Sequence, residues 1–115
     1  MSIEELKEAY KKGIREFNDL DLEGDLSQVN LSGSKFMNCF FLVNFSKANL
    51  SHTIFKMGNI KTCDFREANL TGSHLEELAI EGTLWDGAKV DGIFVKNLYC
   101  YGSTLQKAEF LESIE

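Results

Sequence analysis

The chain has 115 residues, 43% hydrophobic and 26% charged, proportions that suit one soluble globular domain. Eighteen acidic against twelve basic residues leave a net charge of −6, which disfavours direct nucleic-acid binding because that requires a basic footprint. No apolar run reaches the roughly 18 residues of a membrane span, and the charged N-terminus lacks the form of a signal peptide, so a cytoplasmic protein is expected.

The first element announces itself by its cap. Ser2 followed by Glu5 is a capping-box pattern, in which each side chain satisfies an amide of the first helical turn. Ile3, Leu6, Tyr10, Ile14 and Phe17 then recur at helical spacing. The spacing predicts a helix from about Ser2 to Glu16, with residues 1–17 as a capping element and 18–115 as the remainder of one domain. Acids and bases balance through position 16, so the whole negative charge falls after the helix.

Beyond residue 17 neither the helical nor the strand period holds. A step of five does. Leu50, Phe55, Ile60, Phe65, Leu70, Leu75, Ile80, Trp85, Val90, Val95, Cys100, Leu105 and Phe110 form one bulky column. Two residues before each stands a mostly small one: Ala48, Thr53, Gly58, Cys63, Ala68, Ser73 and onward to Ala108. The same pairing runs backwards from Phe45 through Phe41, Phe36, Leu31, Leu26 and Leu22. Cys39, Cys63 and Cys100 are widely spaced and odd in number, so they read as free thiols rather than a disulfide or zinc framework.

The segments ANLSH at 48–52, ANLTG at 68–72 and VNLSG at 29–33 resemble the A(D/N)LXX motif of pentapeptide-repeat proteins. The resemblance implies an all-β solenoid, a right-handed quadrilateral β-helix with four pentapeptides to each coil, here of about five coils and capped by the N-terminal α-helix. Residues one coil apart should then stack. Phe45, Phe65 and Trp85 would share one face, and Phe17, Phe36 and Phe55 another. Leu31, Leu50, Leu70, Val90 and Phe110 would form a third, beside an alanine ladder at 48, 68, 88 and 108 and an outer ladder of Asn30, Asn49 and Asn69 whose side-chain amides stack. No helix comparable to the first is expected at the C-terminus, which would leave the last coil to be covered by self-association, as a homodimer through that end, or by a partner.

The stretch FMNCFFLVNF at 36–45 departs from this rhythm. Phe36 and Phe45 lie nine residues apart where two repeats need ten, so one residue is missing. Cys39 in the small slot favours Phe41 as the inward residue and leaves Phe40 outside; the alternative places Phe40 inside over Asn38. A similar four-residue step runs from Leu22 to Leu26.

Few residues suggest chemistry. The N-x-[ST] sequons at Asn30, Asn44, Asn49 and Asn69 are the repeat motif itself, and His52 and His74 lack partners at ligand spacing, so no metal, cofactor or catalytic residue is expected. Large apolar residues in outward slots say more. Met37, Phe40, Leu42, Ile54 and Met57 form a candidate protein-interaction patch, and Leu84, Phe94, Tyr99 and Tyr101 a candidate self-association patch. The reading is a non-enzymatic interaction module or scaffold with an unknown protein partner. The resemblance adds an alternative, a DNA-mimicking modulator of DNA gyrase or topoisomerase; ligand binding or catalysis is a third class, disfavoured by a packed rod.

Overall fold

Along the repeat, an inward side chain is followed two residues later by a backbone turn through the left-handed region. Met57, Thr62, Glu67 and Gly72 take φ of 58°, 61°, 61° and 68° around one coil. Each such residue turns a corner, and four corners close the square. A residue bearing a Cβ is held there at a cost of about 1 kcal/mol, so neighbour contacts between coils must sustain the shape.

A computed structural model describes residues 1–114. Helix α1 (Ile3–Lys11) precedes strands β1 (Glu16–Asn18), β2 (Asp21–Asp25), β3 (Lys35–Met37), β4 (Phe40–Asn44), β5 (Ile54–Asn59), β6 (His74–Ala79), β7 (Phe94–Cys100) and β8 (Ser103–Leu105), and helix α2 (Lys107–Ser113) closes the chain. On the first side of the coil β1, β3, β5, β6 and β7 stack in parallel, with Phe17, Phe36, Phe55, Leu75 and Val95 in register. The second side carries β2 under β4, with Leu22 beneath Phe41. The fold is the expected quadrilateral β-helix with its N-terminal helix, but with about four coils rather than five. The molecule measures 37 × 23 × 19 Å.

Aromatic side chains fill the axis. Phe45, Phe65 and Trp85 stack at centroid separations of 5.1 and 4.7 Å, and Phe17, Phe36 and Phe55 at 5.5 and 5.0 Å. Phe55 also meets Phe41, Phe45 and Phe65 edge to face. Edge-to-face contact between columns and stacking within them is the arrangement ring quadrupoles favour.

The structure corrects both ends of the sequence reading. Helix α1 stops at Lys11 instead of Glu16, because Gly13 takes φ 95° just beyond its last turn. Ile14 is therefore exposed, and Phe17 is the first inward residue of the solenoid rather than the end of a helical stripe. The capping box forms as expected, Ser2 Oγ accepting from the Glu5 amide at 3.1 Å. Leu6 is fully buried and the Tyr10 hydroxyl donates to the Ser32 carbonyl at 2.8 Å, which seats the helix on the first coil.

At the other end the coil path breaks after Cys100, although the five-residue spacing continues in the sequence. The chain reverses through Tyr101 and Gly102 into β8, antiparallel to β7, and continues as α2. Phe110 is fully buried, edge-on to Trp85 at 5.0 Å, and belongs to this cap rather than to the leucine stack; Ala108 is exposed on α2 and ends the alanine ladder. Gln106 ties the cap down, accepting from the Asn97 amide at 3.0 Å and donating to the Asn97 side chain at 2.6 Å. The last coil is covered by its own chain, which removes the reason for expecting a dimer there.

The asparagine ladder is corrected too. Asn30, Asn49 and Asn69 lie one above another, but each Oδ1 accepts the amide two residues ahead, at 3.0 to 3.1 Å. Their bonds stabilise the local turn instead of running between coils.

Replacing Phe55 with alanine should cost about 3–5 kcal/mol, read as a lowered urea midpoint, since its ring touches four others. Phe110→Ala should shift Trp85 fluorescence to longer wavelength and destabilise by about 3 kcal/mol, because water then reaches the indole.

Candidate interaction surface

Outward residues inherit their neighbours from the register, so a change of register reshapes the wall. The first two coils lack one residue where the second side meets the third: Leu22 to Leu26 and Phe41 to Phe45 are four-residue steps between buried residues. Strand β4 consequently runs straight and pairs with β2 over five residues, from Asp21↔Phe40 to Asp25↔Asn44. The third coil regains the residue. Phe40 pairs with Asn59 and Asn44 with Asp64, so the upper strand has one residue more between the two bridges. Thr62, in the left-handed region, is the corner of this bulge.

The bulge interrupts the backbone ladder above β4. The Cys63 thiol donates to the Phe41 carbonyl at 3.1 Å and so satisfies part of the gap. Burial pushes the pKa of that thiol to about 11, and burial likewise raises Cys39, so both are inert structural thiols rather than nucleophiles. No disulfide joins the three cysteines.

Phe41 points inward at 3% exposure, while Phe40 and Leu42 on either side of it are 56% and 58% exposed. Met57, at the corner between the first and second sides, is 50% exposed. Met37 and Ile54 are half-buried on the first side, Met37 next to Lys56 and Ile54 between Lys35 and His74. The five residues of the first patch thus lie on two adjoining sides of neighbouring coils. Leu42 and Thr62 form the common wall of two hollows, and Phe40 borders one of them. One, of about 310 Å³, is lined by Asp21, Phe40, Phe41, Leu42, Asn59, Lys61 and Thr62. The other, of about 480 Å³, is lined by Glu23, Gly24, Leu42, Val43, Asn44, Thr62 and Asp64.

The second group is not brought together. Leu84 sits on the third side above Asp64; Phe94 is on the first, its ring stacked on His74 at 4.2 Å; Tyr99 and Tyr101 are on the second. The Tyr99 hydroxyl donates to Glu77, and Asn97 donates to the same carboxyl at 2.7 Å; Asn97 first and Tyr99 second hold Glu77 below the usual carboxylate range. These contacts fasten the C-terminal hairpin.

Charges on the rim differ in their engagement. Arg66 donates to Asp64 through Nε at 3.1 Å and Nη2 at 2.9 Å and holds that carboxyl below its ordinary range. Asp21 and Glu23, both exposed, have no ion-pair partner among the described residues. On the first side, hydrogen bonding to His74 at 2.8 Å and the charge of Lys56 at 3.4 Å lower the Glu76 carboxyl. Among the described residues no three His, Cys, Asp or Glu side chains converge as metal ligands.

The hollows beside Leu42 and the role of Thr62 were missed by sequence reasoning. Their signal is present as a change of spacing: Phe36 and Phe55 are 19 residues apart, Phe55 and Leu75 are 20.

Residues 44–77 match the sequence model of pentapeptide repeats, in eight copies. No match is found among curated proteins. Among solved structures, full-length QnrB1, a plasmid-mediated fluoroquinolone resistance protein, is similar with a TM-score of 0.66 at 25% identity, over 74% of this chain and 50% of that one. A trypsin-treated variant of QnrB1 gives 0.63 at 28%, over 64% and 38%. Rfr23, a pentapeptide repeat protein from the cyanobacterium Cyanothece 51142, gives 0.71 at 22%, over 80% and 64%, which shows the fold alone. The chain spans half the length of QnrB1 or less. Residues 44–77 thus carry pentapeptide repeats, and the same coil geometry continues on either side of them, from Phe17 to Val95.

Proposed function

We propose that the chain is a non-enzymatic cytoplasmic scaffold that binds a protein partner through Phe40, Leu42 and Met57, with Met37 and Ile54 at the edge of the contact. The observation that carries the reading is the exposure of Phe40 and Leu42 on a wall whose other outward slots are mostly polar. Contiguous exposed apolar surface marks interaction sites, and covering the exposed half of each of these side chains is worth about 1 kcal/mol. A rigid solenoid presents them without an ordering cost on its own side. Non-enzymatic action is supported by the packed axis and by hollows open to solvent, which do not form the concave, water-excluding site that catalysis requires. No helix among the described residues is long and apolar enough to cross a membrane.

The likeness to a fluoroquinolone resistance protein favours a second reading, action on DNA gyrase or topoisomerase by an acidic rod. Against it stands the arrangement of charge, since outward acids such as Asp21, Glu76 and Asp86 fall on different sides of the coil.

A double variant, Phe40→Lys with Leu42→Lys, should keep the wild-type circular dichroism spectrum and lose captured partners in a pull-down. A folded variant that retains every partner sinks the patch. In a supercoiling assay with fluoroquinolone, the scaffold reading expects neither inhibition nor protection of gyrase at high molar excess; protection would establish the second reading instead.

A further inference from the structure

The two hollows beside Leu42 differ in chemistry. The first is lined by the apolar Phe40, Phe41 and Leu42; the second has Glu23, Asp64 and Asn44 around Leu42 and Val43. A bulky apolar side chain fits the first and a cationic one the second, with Leu42 between them. Register places Asp21 directly under Phe40 and Glu23 directly under Leu42, so the apolar lining has a carboxylate row along its lower rim. Lys61 is the single cation lining either hollow. Asp64 is already paired with Arg66, whereas Asp21 and Glu23 are free of ion pairs among the described residues.

From this juxtaposition we infer that the groove takes a basic peptide segment, one in which a bulky apolar residue is flanked by lysine or arginine. The inference rests on the proposed patch and names its partner's chemistry. Apolar burial supplies affinity, while free carboxylates on the rim steer and select a cationic chain and reject an acidic one. An anionic membrane surface or a nucleic acid is repelled by the same row, and a second copy of a chain of charge −6 is a poorer match than a basic partner. The groove lies where the third coil has one residue more than β4 between the two bridges, with Thr62 at the corner and the ladder interrupted.

The test is a nuclear magnetic resonance titration of the full chain with three short synthetic peptides: one leucine between lysines, the same peptide with serine for leucine, and the same with glutamates for lysines. The leucine–lysine peptide should shift the Leu42, Thr62 and Glu23 amides, with binding that weakens as salt is raised. Binding should fall about tenfold or more in a folded Leu42→Lys variant and in a folded Asp21→Asn, Glu23→Gln variant, the scale of losing a central contact. The neutral double variant retains the shape of the wall and guards against loss of folding. Absence of binding to wild type, or equal binding of the serine or glutamate peptide, overturns the inference. Self-association of wild type that Leu42→Lys abolishes would overturn it in favour of a second copy. Partners lost from Phe40→Lys, Leu42→Lys but kept by Asp21→Asn, Glu23→Gln would overturn the basic-segment inference while leaving the patch intact.

Discussion

Everything in this molecule depends on the parallel backbone ladder between successive coils. A hydrogen bond such as that from the Phe65 amide to the Leu84 carbonyl, at 2.8 Å, allows one alignment of a coil on the next. Once that alignment is set, residues a coil apart are neighbours, and side chains that could not form a core in a single coil become one. Phe45, Phe65 and Trp85 are distant in sequence and in contact in space for this reason. The left-handed corners are tolerated for the same reason: the strain at Thr62 or Glu67 is local, and the ladder that opposes it is shared by every coil.

A repeating architecture concentrates information in its irregularities. Three occur here. At the N-terminus the repeat yields to α1, which lays Leu6 and Ile3 over the first coil, the Ile3 side chain against Gly24, where a Cβ would clash. At the C-terminus it yields to β8 and α2, with Phe110 closing over Trp85. Between them, coil length changes by one residue between Asn59 and Asp64. The first two end the solenoid and keep its edges from templating other chains, a role shared by the exposed acids of β2, the strand that pairs only with β4. The third has no such structural duty, and Phe40 and Leu42 face water beside it. A defect that serves neither end of the rod is a natural place for a binding surface.

Legibility followed the range of the interactions concerned. The five-residue columns and the 20-residue stacks could be read from residue types alone, because each inward slot demands an apolar side chain whatever its neighbours. Phe41 inside and Phe40 outside could be argued in the same way, from Cys39 filling the small slot. Ile14 misled because its spacing continues a helical stripe by coincidence, whereas Gly13 ends the helix through its backbone. The C-terminal cap was hidden since Leu105 and Phe110 keep the five-residue phase while belonging to an antiparallel strand and a helix. Leu84, Phe94, Tyr99 and Tyr101 looked like one group on a linear map, yet the corners distribute them over three sides.

The sequence by itself determined the solenoid, its N-terminal helix and the identity of the outward apolar residues, because periodic burial is a local demand repeated at every coil. Tertiary structure alone decided where the helices end, which outward residues meet, and that two unlike hollows lie beside Leu42 at a one-residue bulge. Those features arise from pairing between coils: a difference of one residue between neighbouring coils is invisible in composition, yet it changes which backbone groups face each other and so which surfaces are left open.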